Sequence, residues 1–268
     1  MNKPLQNAFS FRGSISRRAN ILIGLGASFA VLLAWQVSSW AGWVDPTFLP
    51  SPVEIAQSLL TMTLEGQIVG NTLVSIRRIL AAFALSAAMA IPIGLLMSSY
   101  RPVNAALEPI VDFIRYLPTP ALVPIGIIWF GVGEETKIFL LWLGTFFQLV
   151  LLVVDDANRV PHEYIEIART LGGRPFQILM DIAWRSMLPN LVDNLRITLG
   201  WCWTYLIIAE IVASDSGLGF VIWNARRYMQ TDQVMAGVFV IGMIGLVSDQ
   251  VIRALHRRVF RYLKSTDL

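Results

Sequence analysis

The sequence predicts an all-α protein that crosses a membrane about six times. Three observations point to this fold class: a shortage of charge, a high mean hydropathy and long runs without charged residues. Only 15% of the 268 residues are charged and 55% are hydrophobic, whereas soluble domains carry about 25% charged residues. The mean hydropathy is +0.60. Several charge-free runs reach the length of about 20 apolar residues that a spanning helix needs.

The first span is expected at 20–42. Residues 20–44 contain no charge, which makes the run longer than the apolar region of a signal peptide. We therefore interpret it as a retained span. The same criterion places the other spans at 74–99, 105–132, 137–154, 191–213 and 234–254.

Small residues and an amphipathic pattern give more detail in the first half of the chain. In the second span, Ala81, Ala84 and Ala88, with Gly94, predict a stripe suited to close helix packing. Between the first two spans, residues 52–64 predict a short amphipathic helix at the membrane surface. The predicted apolar face of this short helix consists of Val53, Ala56, Leu60 and Leu64.

The third span is interrupted by three prolines, Pro118, Pro120 and Pro124. Prolines at membrane depth are tolerated where neighbouring protein or water can satisfy the freed carbonyl groups. The third span is therefore expected to face the protein interior rather than lipid.

The distribution of basic residues predicts that both termini lie in the cytoplasm. With that orientation the inner segments carry 14 of the 21 Lys and Arg residues and the outer segments carry 3. Positive charge is concentrated on the cytoplasmic side of membrane proteins. The chain then divides into an N-terminal cytoplasmic segment (1–19), a membrane domain (20–256) with a large cytoplasmic loop (155–190), and a C-terminal tail (257–268).

The large loop is predicted to form a helical hairpin. Residues 163–171 predict a short helix with Ile165, Ala168 and Leu171 on one side. Gly172 and Gly173 should end it, because glycine adopts the left-handed conformation without steric cost. Pro175 then starts a second helix, and Leu188-Pro189 is expected to end it. The apolar stripe of the second helix consists of Phe176, Leu179, Met180, Ala183, Trp184 and Met187.

Charged residues within or beside the spans have two interpretations. Arg115 and Glu210 either line a translocation route or gate, or form buried pairs that fix helix packing, and a further alternative for Glu210 is that it reaches the outer headgroup layer. Arg77 and Arg78 are expected to extend to the outer interface, and Arg196 with Asp193 to satisfy each other. Nearby aromatic residues, including Trp203, either line a solute pocket or only pack. Asp155-Asp156 is interpreted as a solvated end of the fourth span.

Four stretches resemble one family in the same order. Glu166-Ile167-Ala168, followed after three residues by Gly172 and closed by Leu188-Pro189, resembles the "EAA" loop of ABC importer permeases, although Ile167 stands where the motif has alanine. Residues 76–97, 113–137 and 195–225 resemble the second, third and fifth spans of the nitrate/sulfonate/taurine branch.

This resemblance implies a type I ABC importer permease fold in the inner membrane. The family works as two permeases, here a homodimer, with two ATP-binding ABC subunits and a periplasmic or lipid-anchored solute-binding protein. The solute would be a small oxyanion or organic anion such as nitrate, a sulfonate or taurine. The implied residues that dock the ATPase are Glu163, Glu166, Ala168, Arg169, Thr170, Leu171, Gly172, Gly173, Arg174 and Pro175. The candidate residues of the translocation path or gate are Arg115, Pro118, Pro120, Trp203 and Glu210.

Other chemistry is poorly supported. No GxxxxGK[ST] motif occurs, so ATP and Mg²⁺ are expected on the partner ATPases, with no cofactor in this chain. One cysteine and two separated histidines give little for a metal or catalytic site, and a net charge of +3 does not suggest nucleic acid. An ion-coupled secondary transporter is the main alternative, but it predicts discontinuous helices in two inverted halves. A membrane-embedded enzyme is the second alternative.

Overall fold

The computed structural model describes residues 16–211 and 214–262, and within them the chain forms helices and no strand. The α-helices are α1 (Arg17–Trp40), α2 (Pro52–Leu64), α3 (Gln67–Ser99), α4 (Arg101–Arg115), α5 (Val123–Phe130), α6 (Glu134–Asn158), α7 (His162–Thr170), α8 (Trp184–Ile211), α9 (Leu218–Arg227) and α10 (Thr231–Val259). A 3₁₀ turn, Thr119–Leu122, precedes α5. A short helical turn, Pro175–Gln177, and a π-helical segment, Ile178–Ala183, lead into α8.

Most of the predicted spans are present. Among the described residues, α1, α3, α6 and α10 are long and apolar enough to cross a membrane. The segments Arg101–Arg115 and Thr119–Phe130 pass the same test together as a pair bent by 92°. The predicted fifth span corresponds to α8, which has 28 residues but is made less apolar by its polar and charged side chains. It packs between α6 and α10, so it belongs to the same bundle.

The bend in the third span is confirmed, but its predicted burial is wrong for the single chain. The break falls between Arg115 and Thr119, at Pro118, and a proline disfavours the helical conformation of the residue before it. On either side of the break, Tyr116, Ile128 and Trp129 are exposed. This segment therefore lies on the surface of the protomer.

The core is built on α3 and α6, the most extensive helix pair. Gly94 lies in this interface as predicted, but Ala81, Ala84 and Ala88 are exposed. The buried stripe on α3 instead contains Ser75, Ala82, Ser86, Ala90 and Gly94. Both sets are small residues at helical spacing, so the sequence pattern did not determine which face is buried. Ser86 also hydrogen-bonds Thr145 of α6 at 2.8 Å.

The short helix α2 has the predicted bounds. The Ser51 hydroxyl accepts from the Glu54 N–H, and the Glu54 carboxylate accepts from the Ser51 N–H, which is a capping box. Ile55 and Met62 enter the core. The predicted face of Val53, Ala56, Leu60 and Leu64 is exposed. In a membrane protein an apolar face can contact lipid, so apolarity alone does not show which face is buried.

Helix α9 ends in a left-handed residue that is not glycine. Met229 has a φ of 57°. Its N–H donates to the Arg226 carbonyl at 3.1 Å, and the Gln230 N–H donates to the Ala225 carbonyl at 3.0 Å. These two bonds form the Schellman motif, in which this position is usually glycine.

Met229→Gly is expected to raise the free energy of unfolding by about 1 kcal/mol, because the left-handed conformation costs a residue with a Cβ roughly that amount. The measurement is thermal unfolding of the purified chain in detergent. Tyr228→Gly is the control, because Tyr228 has a φ of −100° and glycine there only adds backbone freedom to the unfolded state. An equal loss of unfolding free energy in both variants would contradict the conclusion that the left-handed conformation of Met229 is strained.

Candidate transport site and helical hairpin

A helical hairpin, residues 162–183, connects α6 to α8. Its first arm, α7, packs on the π-helical segment of its second arm. The turn is a Schellman motif: the Gly173 N–H donates to the Ala168 carbonyl and the Gly172 N–H to the Arg169 carbonyl, both at 2.9 Å. Gly172 has a φ of 82°. A Cβ at Gly173 would lie 2.8 Å from the Ala168 carbonyl oxygen. The predicted stop at these two glycines is confirmed.

The hairpin presents apolar side chains to solvent. Tyr164, Ile167 and Leu171 are 53%, 58% and 82% exposed, on one side of α7, while Ala168 on another side is buried. The prediction that Leu171 lies on one side of α7 with Ile165 and Ala168 is wrong, because Leu171 is exposed where Ala168 is buried. A spacing of three residues drifts by about 60° per step on a 3.6-residue helix, so the third member of such a series leaves the buried face.

The charged side chains of the hairpin are also exposed. Glu163, Glu166, Arg169 and Arg174 all face solvent. His162 lies 3.6 Å from the Glu166 carboxylate. Exposed charges surrounding an apolar centre are typical of a protein–protein interface with a polar rim.

The second arm differs from the prediction in two respects. Leu179, Met180, Ala183 and Trp184 are partly buried and Met187 is fully buried, as the apolar stripe predicts, but Phe176 is 71% exposed. The helix does not end at Leu188-Pro189, because Pro189 lies inside α8. A proline inside a helix removes one backbone hydrogen bond, and the helix continues past Pro189. The second arm therefore continues without a break into the bundle.

A cavity of about 490 Å³ lies between the bent third span and helices α6 and α8. Its walls combine one cation, several hydroxyl groups, an amide and apolar surface. The lining residues are Ile114, Arg115, Tyr116, Leu117, Pro118, Thr119, Pro120, Leu143, Gly144, Phe147, Gln148, Trp201, Thr204, Tyr205 and Ile208. Among these described lining residues there is no Asp or Glu, and Arg115 carries the one charge.

Arg115 is the cation of the cavity wall. It forms an ion pair with Asp112 at 3.0 Å, one turn back on α4. Its guanidinium donates to the Tyr116 hydroxyl at 3.0 Å and lies 4.6 Å from the centre of that ring. These contacts hold the charge at the rim of the cavity.

The structure brings together three of the five candidate path residues. Arg115, Pro118 and Pro120 line the cavity. Trp203 is buried in the core beside Gly245 of α10. Glu210 is fully buried in a separate cluster of charges and does not line the cavity.

That cluster centres on Arg78. The side chain of Arg78 is 1% exposed, and it contacts Glu210 at 2.7 Å. Its Nε donates to Glu134 at 2.8 Å. Lys137 lies 3.0 Å from the same Glu134. The expectation that Arg78 reaches the interface is therefore wrong, because two carboxylates compensate its charge inside the protein; Arg77, whose side chain is 76% exposed, does face outward.

A second group of charges joins α8 to α10. Arg196 lies 3.4 Å from Asp193, which confirms the predicted pair, and 3.0 Å from Asp249 of α10. The expectation that Asp155-Asp156 is solvated holds for Asp155 only. Asp156 is buried, and its Oδ2 accepts from the Asn194 amide at 2.7 Å, because α8 packs over that end of α6.

Comparison with known proteins decides between a transporter subunit and the alternatives. Residues 90–261 match the family described as "Binding-protein-dependent transport system inner membrane component". The chain belongs to this family. The permease is 32% identical over 263 residues to the putative aliphatic sulfonates transport permease protein SsuC of Bacillus subtilis. The matched residues cover 98% of this chain and 95% of that protein. The permease is 32% identical over 255 residues to the taurine transport system permease protein TauC of Escherichia coli, covering 93% and 92% of the two chains.

A solved structure agrees on the fold. A chain of the inward-facing MetNI methionine ABC transporter superposes on the permease with a TM-score of 0.60 and 21% identity, covering 72% of this chain and 97% of that chain. The predicted type I ABC importer permease fold is confirmed. The permease is thus a multi-pass inner-membrane transport subunit rather than an enzyme, and membership of the family implies ATPase and solute-binding partners.

Proposed function

We propose that this permease carries a small organic anion through a homodimer and that the helical hairpin receives the force of ATP hydrolysis. The observation that carries the proposal is the exposed apolar face of Tyr164, Ile167 and Leu171. Large apolar side chains grouped outside the lipid-facing helices are typical of a protein interface. The hairpin is the part of the chain that resembles the ATPase-docking loop of ABC importers.

The geometry of the hairpin suits a mechanical contact. Its turn is fixed by the two Schellman hydrogen bonds at Gly172 and Gly173, and its second arm runs directly into α8. A force applied to α7 therefore reaches a 28-residue helix without passing through a flexible linker. The docking residues are those that the family resemblance implies, from Glu163 to Pro175.

The cavity is the proposed solute path. Arg115 supplies a positive charge, and Thr204, Tyr205 and Gln148 supply hydrogen-bonding groups. Phe147 and Trp201 add apolar surface for a short organic chain. Two relatives are named for aliphatic sulfonates and for taurine, compounds that each join an apolar part to a sulfonate group. We assign the same class of solute to this permease.

A second copy of the permease would close the cavity. Arg115, Tyr116, Pro118 and Pro120 are exposed in the single chain, so the cavity is open on the side of the bent span. Irregular backbone at membrane depth requires protein or a water-filled cavity around it. In the homodimer, the two bent spans face each other across the solute path. Each bent span is then surrounded by protein and by the water-filled cavity. The basic residues place the hairpin and both termini on the cytoplasmic side.

Ile167→Glu is expected to lower the ATP hydrolysis that co-purifies with the tagged permease by at least about tenfold, because a buried apolar anchor at an interface contributes about 2 kcal/mol or more. The readout is vanadate-sensitive hydrolysis per mole of permease, which must come from a partner because this chain has no phosphate-binding motif. Native mass spectrometry of the same sample should show two permease copies.

Gln177→Glu is the matched control. It adds the same charge to the hairpin but keeps the oxygen that accepts from the Arg174 N–H at 3.0 Å, so hydrolysis should stay near the wild-type level. Glu166→Lys and Gly172→Arg should behave like Ile167→Glu while leaving the permease folded. Unchanged hydrolysis in all three hairpin variants would exclude the docking role.

A further inference from the structure

The loop at 214–219, which leads into α9, is held by side chains from two other helices. The Gly217 N–H donates to the Asn71 side-chain oxygen at 2.7 Å. The Leu218 N–H donates to the Ser75 hydroxyl at 2.9 Å, and the Gly219 N–H donates to the Glu210 carboxylate at 2.8 Å. Three consecutive backbone groups thus bond to α3 and α8.

Arg78 completes the attachment. Its Nη1 donates to the Ser216 carbonyl at 2.8 Å and to Glu210 at 2.7 Å. Its Nη2 donates to the Ser216 hydroxyl at 3.1 Å. One guanidinium therefore joins the loop to Glu210 on α8 and Glu134 on α6. A lysine could not make this set of contacts, because its single ammonium group lacks the planar fork of arginine.

The loop is built tightly around Glu210. A Cβ at Gly219 would lie 2.6 Å from the Glu210 Cβ, and a Cβ at Gly217, which has a φ of 106°, would overlap the Glu210 carboxylate. Glycine at these two positions lets the backbone approach the acid closely enough to be locked to it.

Glu210 lies at the opposite end of α8 from the helical hairpin. The helix has 28 residues, which at 1.5 Å per residue gives a rod of about 42 Å. One end of this rod continues from the hairpin, and the other end carries the acid that holds the loop and α9.

We propose that Arg78 is a positioning residue that locks the loop at 214–219 onto the far end of α8, so that α9 moves with α8. The role of this lock in transport rests on the proposed function, because α8 would move only if ATP hydrolysis drives the hairpin. The lock itself is a property of this chain alone. The lock makes α9, which is remote from the hairpin, move together with the end of α8 that faces the ATPase.

The test uses a chain with one reporter cysteine. Cys202, the only cysteine, is buried and is replaced by alanine. Leu218→Cys then places a thiol at a position that is fully buried and whose N–H is part of the lock. The rate of maleimide labelling in lipid nanodiscs reports how often the loop opens.

R78K is expected to raise the labelling rate of the Leu218→Cys chain by at least about tenfold, because it keeps the charge that compensates Glu210 and loses the fork that holds Ser216. R77K is the control and should leave the rate unchanged, since Arg77 is exposed and lies 4.0 Å from Glu134. Leu149→Cys, at another fully buried position, should stay unlabelled in every background.

A second pair of variants covers the case in which R78K exposes both reporters by unfolding the chain. Asn71→Ala removes the acceptor for the Gly217 N–H together with the amide that donates to the Gln67 carbonyl at 2.7 Å, and it should also raise labelling at position 218. Asn71→Asp loses the same amide donor but keeps the acceptor, so it should not raise labelling. Labelling that stays slow in R78K, or in Asn71→Ala if R78K unfolds, would overturn the lock. Absence of an ATPase from the purified wild-type permease would instead overturn the proposed function and leave the labelling result standing.

Discussion

Arg78→Met is expected to destabilise the permease by about 3–5 kcal/mol, the cost of leaving one member of a buried ion pair without its partner. Glu210 is fully buried. Without Arg78 its carboxylate keeps two hydrogen bonds from the part of the chain that the structure describes, from the Ser75 hydroxyl and the Gly219 N–H. Two neutral donors do not compensate a full charge removed from water. The measurement is the midpoint of thermal or denaturant unfolding in detergent, compared with wild type.

The double variant Arg78→Met with Glu210→Gln should recover part of the loss. Glutamine is neutral and can still accept from the Ser75 hydroxyl and the Gly219 N–H, so no uncompensated charge stays inside. Glu134 loses one partner but is 38% exposed and keeps Lys137. Recovery in the double variant is a coupling energy between residues in contact. If the double variant were as unstable as the sum of the two single variants, the charge-pair explanation would be wrong.

Arg196→Met is the matched control. Arg196 also has two carboxylate partners, Asp193 and Asp249, but their side chains are 47% and 32% exposed. Water can therefore solvate both acids when the arginine is removed. The expected loss is about 1 kcal/mol, because exposed ion pairs contribute little to stability.

The Arg78 cluster shows where reasoning from the sequence ended. Arg78 and Glu210 stand near the ends of the predicted spans 74–99 and 191–213, a position at which a charge normally reaches water, although Arg78 lies well inside the observed helix α3. Glu134 and Glu210 follow Arg78 by 56 and 132 residues. No local period connects residues so far apart, so only the packed bundle shows that three charges meet. The available signal was an arginine and a glutamate near span ends. Arg78 was expected at the interface, whereas a buried pair was one of the alternatives for Glu210, and the structure shows that pair.

Local patterns were predicted well. The end of α7 at Gly172 follows from a left-handed residue, and the bend after Arg115 follows from prolines, because both depend on the conformational limits of one or two residues. The rotation of a helix was predicted less well. Trp203 was expected in the cavity, but Trp201, Thr204, Tyr205 and Ile208 line it. These four positions form one face of α8, and Trp203 lies on another. Helix rotation depends on the neighbours, which the local sequence does not specify.

The packing of α3 against α6 leads to the second large prediction. Gly94→Ala is expected to destabilise the permease by about 1–3 kcal/mol. A Cβ at this position would lie 2.6 Å from the Val153 Cβ and 2.9 Å from the Val150 carbonyl oxygen. Neither atom is the end of a flexible side chain, so the two helices must separate. The surrounding side chains Ala90, Leu149 and Val150 are fully buried, and separation would open gaps along the whole contact.

Gly70→Ala provides the control on the same helix. Gly70 has no atom within 4 Å of an added Cβ, so alanine there should stabilise α3 by roughly 0.5–1 kcal/mol through its higher helix propensity. Both variants make the same chemical change within one helix, and only the neighbouring helix differs. Unfolding midpoints that shift in opposite directions would show that close approach of α3 and α6 requires glycine at 94. A shift of the same sign in both variants would show that helix propensity, rather than packing, determines the effect.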